Sequence, residues 1–211
     1  VSNQVCYSLF DQRASGEMAR LCRGRDVRIL AFGTLAGGFL TDRWLGKPEP
    51  EPEDLPTWSE MKYKRYIDAA GGWAPYQRLL ETLNTVAERH EVSIANVASR
   101  FILDQPAVGA VIIGARLGQS QHIDNNLQLL ELEMDDADRD EIRTAMGGLA
   151  TIPGDCGDEY RKPPFLTASG DLSHHIDEMP KPYPVESRPG DRTLASSGTI
   201  WEEIAGFSRA V

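Results

Sequence analysis

The sequence predicts an α/β fold built on parallel strands, and three observations carry that prediction. Short runs of β-branched and aliphatic residues recur at about 3–8, 27–33 and 109–113. Amphipathic helical patterns separate them, in the order β-α-β-(long loop)-α-α-β-α-α. Strands joined through helices run parallel with right-handed crossovers, in a doubly wound sheet or a (β/α)₈ barrel. Three strands do not close a barrel.

The elements follow in order. VSNQVCYSLF (1–10) is rich in β-formers and ends at the polar Asp11-Gln12-Arg13, a strand over about 3–8. Met18, Leu21 and Cys22 are at helical spacing, with Gly24 as a C-cap, a short helix over about 15–23. VRILAFG (27–33) is a buried strand broken at Gly33, and Ala36-Gly37-Gly38 is a flexible turn. Residues 39–73 contain KPEPEPEDLP, whose alternating Pro and Glu exclude helix and inner strand, so a long surface loop of the lid kind is expected. Leu79, Leu80, Leu83, Val86 and Ala87 form one apolar stripe of a helix over about 75–89. Ser93 can cap the next helix, which carries Val97, Phe101 and Ile102 and stops before Pro106. VGAVIIG is the third strand. A helix over about 119–130 should turn Ile123, Leu127 and Leu130 inward, and Asp135 with Asp138 starts a last one over 136–145.

After Met146 the character changes. Residues 147–211 hold eight Gly and seven Pro without long apolar periodicity, so a boundary is expected near 148, with an irregular linker or wrapping arm over 148–195. Cys156, Asp171, His174 and His175 gather there, but their spacing matches no zinc pattern and no metal site is expected. The chain opens on Val1 inside a strand pattern and closes without a helix end, which reads as a piece of a longer protein.

Composition narrows the function. The formal charge of −10 repels nucleic acid and anionic membrane surfaces, so neither is an expected partner. No apolar run approaches a membrane span, and no signal peptide is evident. Three cysteines without CxxC spacing suit reduced thiols in a cytoplasm.

VIIGARLGQSQHIDNNL (111–127) is the stretch that carries chemistry. A strand ending at Gly114, small polar residues and a helix start present free N–H groups and a positive dipole end to an anion. Arg116 can grip a phosphate with two hydrogen bonds, and Ser120 and His122 supply further donors. In parallel α/β folds ligands sit at the carboxyl ends of strands, where this segment lies.

NQVCYSLFDQR, AFGTLAGGFLTDRWL, SIANVASRFILDQPAVGAVIIGAR and HIDNNL, in this order and spacing, resemble the carboxyl-terminal half of an aldo-keto reductase. The resemblance covers about 1–146 and implies a domain over 1–147: a partial (β/α)₈ (TIM) barrel, strands six to eight with their helices, followed by a long irregular tail. It implies NADP(H) as cofactor and a small aldehyde or ketone as substrate of the parent protein. By position, Gln4 matches the glutamine on the nicotinamide carboxamide, and Phe32 the aromatic stacked on the nicotinamide ring. Gly33, Thr34, Leu35 and Gly37 match the turn along the pyrophosphate, with the Leu35 N–H as a donor. Gly114, Arg116, Ser120, His122, Asn125 and Asn126 match the adenosine phosphate site. Asn125 replaces a usual acidic residue and His122 a usual arginine or glutamine, which leaves the 2′-phosphate mainly to Arg116. The family's catalytic aspartate, tyrosine, lysine and histidine lie on the first four strands and have no counterpart here, so no catalytic residue is assigned and the chain alone should be inactive. Tyr7 lacks a lysine partner and is not promoted to acid. A second function class consistent with the resemblance is a nucleotide-binding regulatory subunit like the β subunits of potassium channels. SSGTIWEEIAGFSRAV, over 196–211, resembles the start of a reactive-intermediate imine deaminase (RidA) domain, truncated here.

Overall fold

The computed structural model describes residues 1–115, 118, 121–158, 185–188 and 192–195. Strands β1 (Ser2–Cys6), β2 (Arg28–Phe32) and β3 (Val108–Ile112) form one sheet in that order, and both pairings are parallel. Gln4 is in register with Leu30, and Cys6 with Phe32, while Phe32 in turn is in register with Ile112. Alternation then sorts the two faces: Ile29 and Ala31 are fully buried, whereas Leu30 and Phe32 are only half-buried and Ile112 is 41% exposed. Parallel strands normally have both faces covered, so this half-open face is unusual for a finished sheet.

Helices α1 (Glu17–Gly24), α2 (Trp58–Ala69), α3 (Trp73–Arg89), α4 (Ile94–Leu103), α5 (Ile123–Glu131) and α6 (Asp136–Met146) complete the first compact unit, Val1–Leu172. The Leu79–Ala87 stripe of α3 is in the core, and Ser93 caps α4 by accepting from the Asn96 N–H. The capping box at α6 is complete: Asp135 Oδ1 accepts from Asp138 N at 2.8 Å, and Asp138 Oδ2 from Asp135 N at 3.1 Å.

Three expectations need correction. The 39–73 segment is not one long loop, because α2 occupies its second half. Thr57 caps it (Glu60 N to Thr57 Oγ1, 3.1 Å), and Tyr63, Tyr66 and Ile67 bury its inner face. Its apolar face is made largely of tyrosines set among Lys and Arg, which hides the helical period. Next, α5 starts at Ile123, with Gln121 and His122 outside it. Its supposed inner residues Ile123, Leu127 and Leu130 are the exposed ones, and Leu129 is buried instead. The seam with α4 is polar, Ser93 Oγ to Asn125 Oδ1 at 3.1 Å and Asn96 Nδ2 to Gln128 Oε1 at 3.2 Å, so it selects the face that carries Asn125 and Gln128.

Beyond Gly148 the chain stays with the first unit, which runs on to Leu172. Ala150 N donates to Ala70 O at 2.8 Å, Ile152 is buried, and Arg13 Nη1 donates to Asp155 O at 2.9 Å. The last concerns the irregular stretch 148–195, which contains an antiparallel pair, β4 (Val185–Arg188) with β5 (Arg192–Ala195), inside the second unit, Ser173–Val211. The RidA-like segment 196–211 and the residues Asp171, His174 and His175 lie outside the described residues. No helix among the described residues is long and apolar enough to cross a membrane.

Candidate functional site

A cavity of about 800 Å³ opens at the carboxyl ends of β2 and β3. Its floor is the turn after β2. Gly33 (φ +70°) and Gly37 (φ +66°) have backbone conformations that a side chain disfavours, and neither has room for one. A Cβ on Gly33 would overlap the Tyr63 hydroxyl, and one on Gly37 would come within 2.7 Å of the Tyr63 ring. Thus α2 roofs the turn directly.

Thr34 lies between those glycines, 1% exposed, and its Oγ1 has no hydrogen-bond partner. A buried hydroxyl left unpaired costs free energy, so Thr34 marks this turn as a strained place beside the cavity. Across the cavity, Ile112, Ile113, Gly114 and Ala115 follow β3, and His122, Asn125 and Asn126 surround the start of α5. His122 is left-handed (φ 49°) and accepts from Asn126 N at 2.8 Å, so the first helical turn of α5 begins beside the cavity.

Of the residues singled out from sequence, Gly33, Thr34, Leu35, Gly37, Gly114, His122, Asn125 and Asn126 line this one cavity. Gln4 and Phe32 do not line it. They lie one row apart on the half-open face of the sheet, Gln4 exposed and Phe32 half-buried. Arg116 and Ser120 are outside the described residues.

Sequence reading missed one wall entirely. Thr41, Asp42 and Arg43, with Ser59, Glu60 and Tyr63 of α2, complete the cavity. Arg43 Nη1 pairs with Glu60 Oε1 at 3.0 Å, and its guanidinium lies 4.9 Å from the Trp44 ring centre. The signal was present in FLTDRW, an arginine three residues beyond a buried Leu40, but its partner Glu60 lies on α2, which the sequence reading did not find.

Tyr7 is buried just beyond β1. Burial first, then Asp11 and Cys156, push its phenol up to about 12. A phenol made less acidic is a poor proton donor to a carbonyl oxygen. Among the described residues no group of His, Cys, Asp or Glu could hold a metal ion.

The Aldo/keto reductase family profile matches residues 1–146. Aldo-keto reductase YhdN of Bacillus subtilis (strain 168) is 25% identical over 166 residues, covering 76% of this chain and 46% of that protein. Flagellar radial spoke protein 5 of Chlamydomonas reinhardtii is 31% identical over 94 residues, 44% of this chain and 18% of that protein. Among solved structures, the glycerol dehydrogenase AKR11B4 from Gluconobacter oxydans superposes with TM-score 0.54 at 19% identity, covering 73% of this chain and 44% of that one. The chain therefore spans less than half the length of these relatives. Three parallel strands, a glycine turn and a strand-end cavity, all within the 146 residues that the family profile matches, place this chain in the Aldo/keto reductase family.

Proposed function

We propose that the chain is the carboxyl-terminal half of an aldo-keto reductase barrel, strands six to eight, and that its cavity holds NADP(H) in an oxidoreductase acting on a small aldehyde or ketone. The observation that carries the cofactor reading is that the glycine turn after β2 and the first turn of α5 face one cavity at the strand ends. The donor set fits a dinucleotide diphosphate: a glycine turn that lets the ligand approach backbone, Arg43, and the first turn of α5. The half-barrel reading is supported by surface. Ile123, Leu127 and Leu130 are 50%, 54% and 61% exposed on α5, which follows the edge strand β3. A further βα unit pairing with β3 would bury them.

When bound, the nicotinamide would exchange hydride with a carbonyl carbon. The chain's own part is to bind and orient. Gln4 and Phe32, on the half-open face, would meet the nicotinamide amide and ring; the cavity would take the phosphates; and Arg116 would take the 2′-phosphate. Tyr7, its phenol pushed up to about 12, is not the acid of this reading, which takes the proton from the half of the barrel that carries the family's catalytic groups.

Fluorescence titration with NADPH and NADH tests the reading. Arg116→Ala should weaken NADPH by roughly 10- to 150-fold, the worth of about 1.5–3 kcal/mol of charged hydrogen bonding, and spare NADH. Equal weakening of both would move Arg116 to the diphosphate. Absence of saturable binding to the wild-type chain would remove the cofactor proposal. With aldehydes supplied, the chain alone should consume no NADPH.

A further inference from the structure

Arg43 and Glu60 meet at the cavity wall with very different surroundings. The Arg43 side chain is 63% exposed, and that of Glu60 only 5%. Glu60 is in the first turn of α2, and its second oxygen, Oε2, accepts from the Thr57 hydroxyl at 2.8 Å. One carboxylate therefore ties the segment Asp42–Trp44 to the start of the helix that lays Tyr63 over Gly33 and Gly37.

A guanidinium is the group that a phosphate entering this cavity would seek. Here it is already engaged by a carboxylate, and Asp42 adds a second negative charge to the same wall. We infer that Glu60 is an affinity-setting counter-anion, which holds Arg43 when no phosphate is present and surrenders it when the diphosphate of a dinucleotide arrives. This rests on the nucleotide reading above. Entry of the ligand then costs the Arg43–Glu60 pair, and departure restores it, so Glu60 shortens the residence of the bound nucleotide. The exchange leaves the cap of α2 intact, because Thr57 keeps its bonds to the Glu60 N–H and carboxylate.

Stopped-flow NADPH fluorescence on the full chain, at fixed low salt, tests it. Glu60→Gln keeps the shape and the Thr57 bond but removes the charge. It should bind NADPH about tenfold tighter, mostly through slower dissociation, which corresponds to about 1.4 kcal/mol. Arg43→Gln removes the guanidinium from an exposed position, and it should weaken binding about tenfold. In the Arg43→Gln background, Glu60→Gln should no longer tighten binding, since the competition has no object. If Glu60 only shaped α2, Glu60→Gln would weaken binding or leave it unchanged, and either result overturns the inference while the nucleotide reading stands. Equal tightening in both backgrounds also overturns it. A wild-type chain that binds no NADPH removes both.

Discussion

Tyr63 lies on Gly33. Its hydroxyl fills the space a Cβ there would need, and its ring crowds Gly37 in the same way, so α2 and the turn after β2 interlock through a missing side chain. Gly33→Ala would meet both this overlap and a φ of +70°. A loss of about 1–3 kcal/mol is expected in urea unfolding. Adding Tyr63→Phe should recover part of it, because the hydroxyl goes but the ring carbon at 3.0 Å and the strained φ remain. Wild-type stability in Gly33→Ala would show that α2 does not sit on the turn.

Asp138 gathers two partners besides the capping bond from the Asp135 N–H: His90 Nε2 at 2.6 Å on one oxygen and Arg89 on the other. Burial alone would raise its pKa, but these hydrogen bonds outweigh it and hold the carboxyl below the usual aspartate range. A lowered native pKa contributes stability that is present above the unfolded value and lost as pH falls through the native one. Asp138→Asn should therefore cost about 1–3 kcal/mol at neutral pH. The difference from wild type should narrow below about pH 3.9, the ordinary aspartate value. Urea midpoints across pH 2–7 would show it, and a gap that widens on acidification would contradict the network.

Neighbours on α5 should behave in opposite ways. Leu129 is 4% exposed and Leu130 61%. Leu129→Ala is expected to cost about 2–3 kcal/mol through lost burial. Leu130→Gln should stay within about 0.5 kcal/mol and make the isolated chain less prone to associate. Chemical denaturation with light scattering checks both, and reversed effects would return Leu130 to the core.

Tyr7 should remain un-ionised far into alkali. Absorbance near 295 nm, compared with Tyr7→Phe, should show no phenolate from this residue at about pH 10, where an ordinary tyrosine is half titrated. A Tyr7 phenolate near neutrality would restore it as a proton donor candidate.

What could be read without coordinates was local. The three strands are short β-branched runs, the α3 stripe repeats at 3.6 residues, and Ser93 and Asp135 cap through hydrogen bonds to residues three positions on. The cavity-lining residues singled out from sequence, among them Gly33, Thr34, Leu35, Gly37 and Gly114, follow the ends of β2 and β3, where a chain that alternates β and α must expose them.

What tertiary structure decided was which surfaces find a partner. The α5 pattern announces an apolar stripe, but the polar Asn125 and Gln128 contacts to α4 settle which side faces inward. Helix α2 follows a Pro-Glu run and buries tyrosines, and the seat of Tyr63 depends on Gly33 and Gly37 some thirty residues earlier. The pairing of Arg43 with Glu60 spans seventeen positions and needs both the turn and the helix in place. Periodicity and capping are properties of neighbours along the chain, whereas a cavity is made by segments that meet only after the chain has folded.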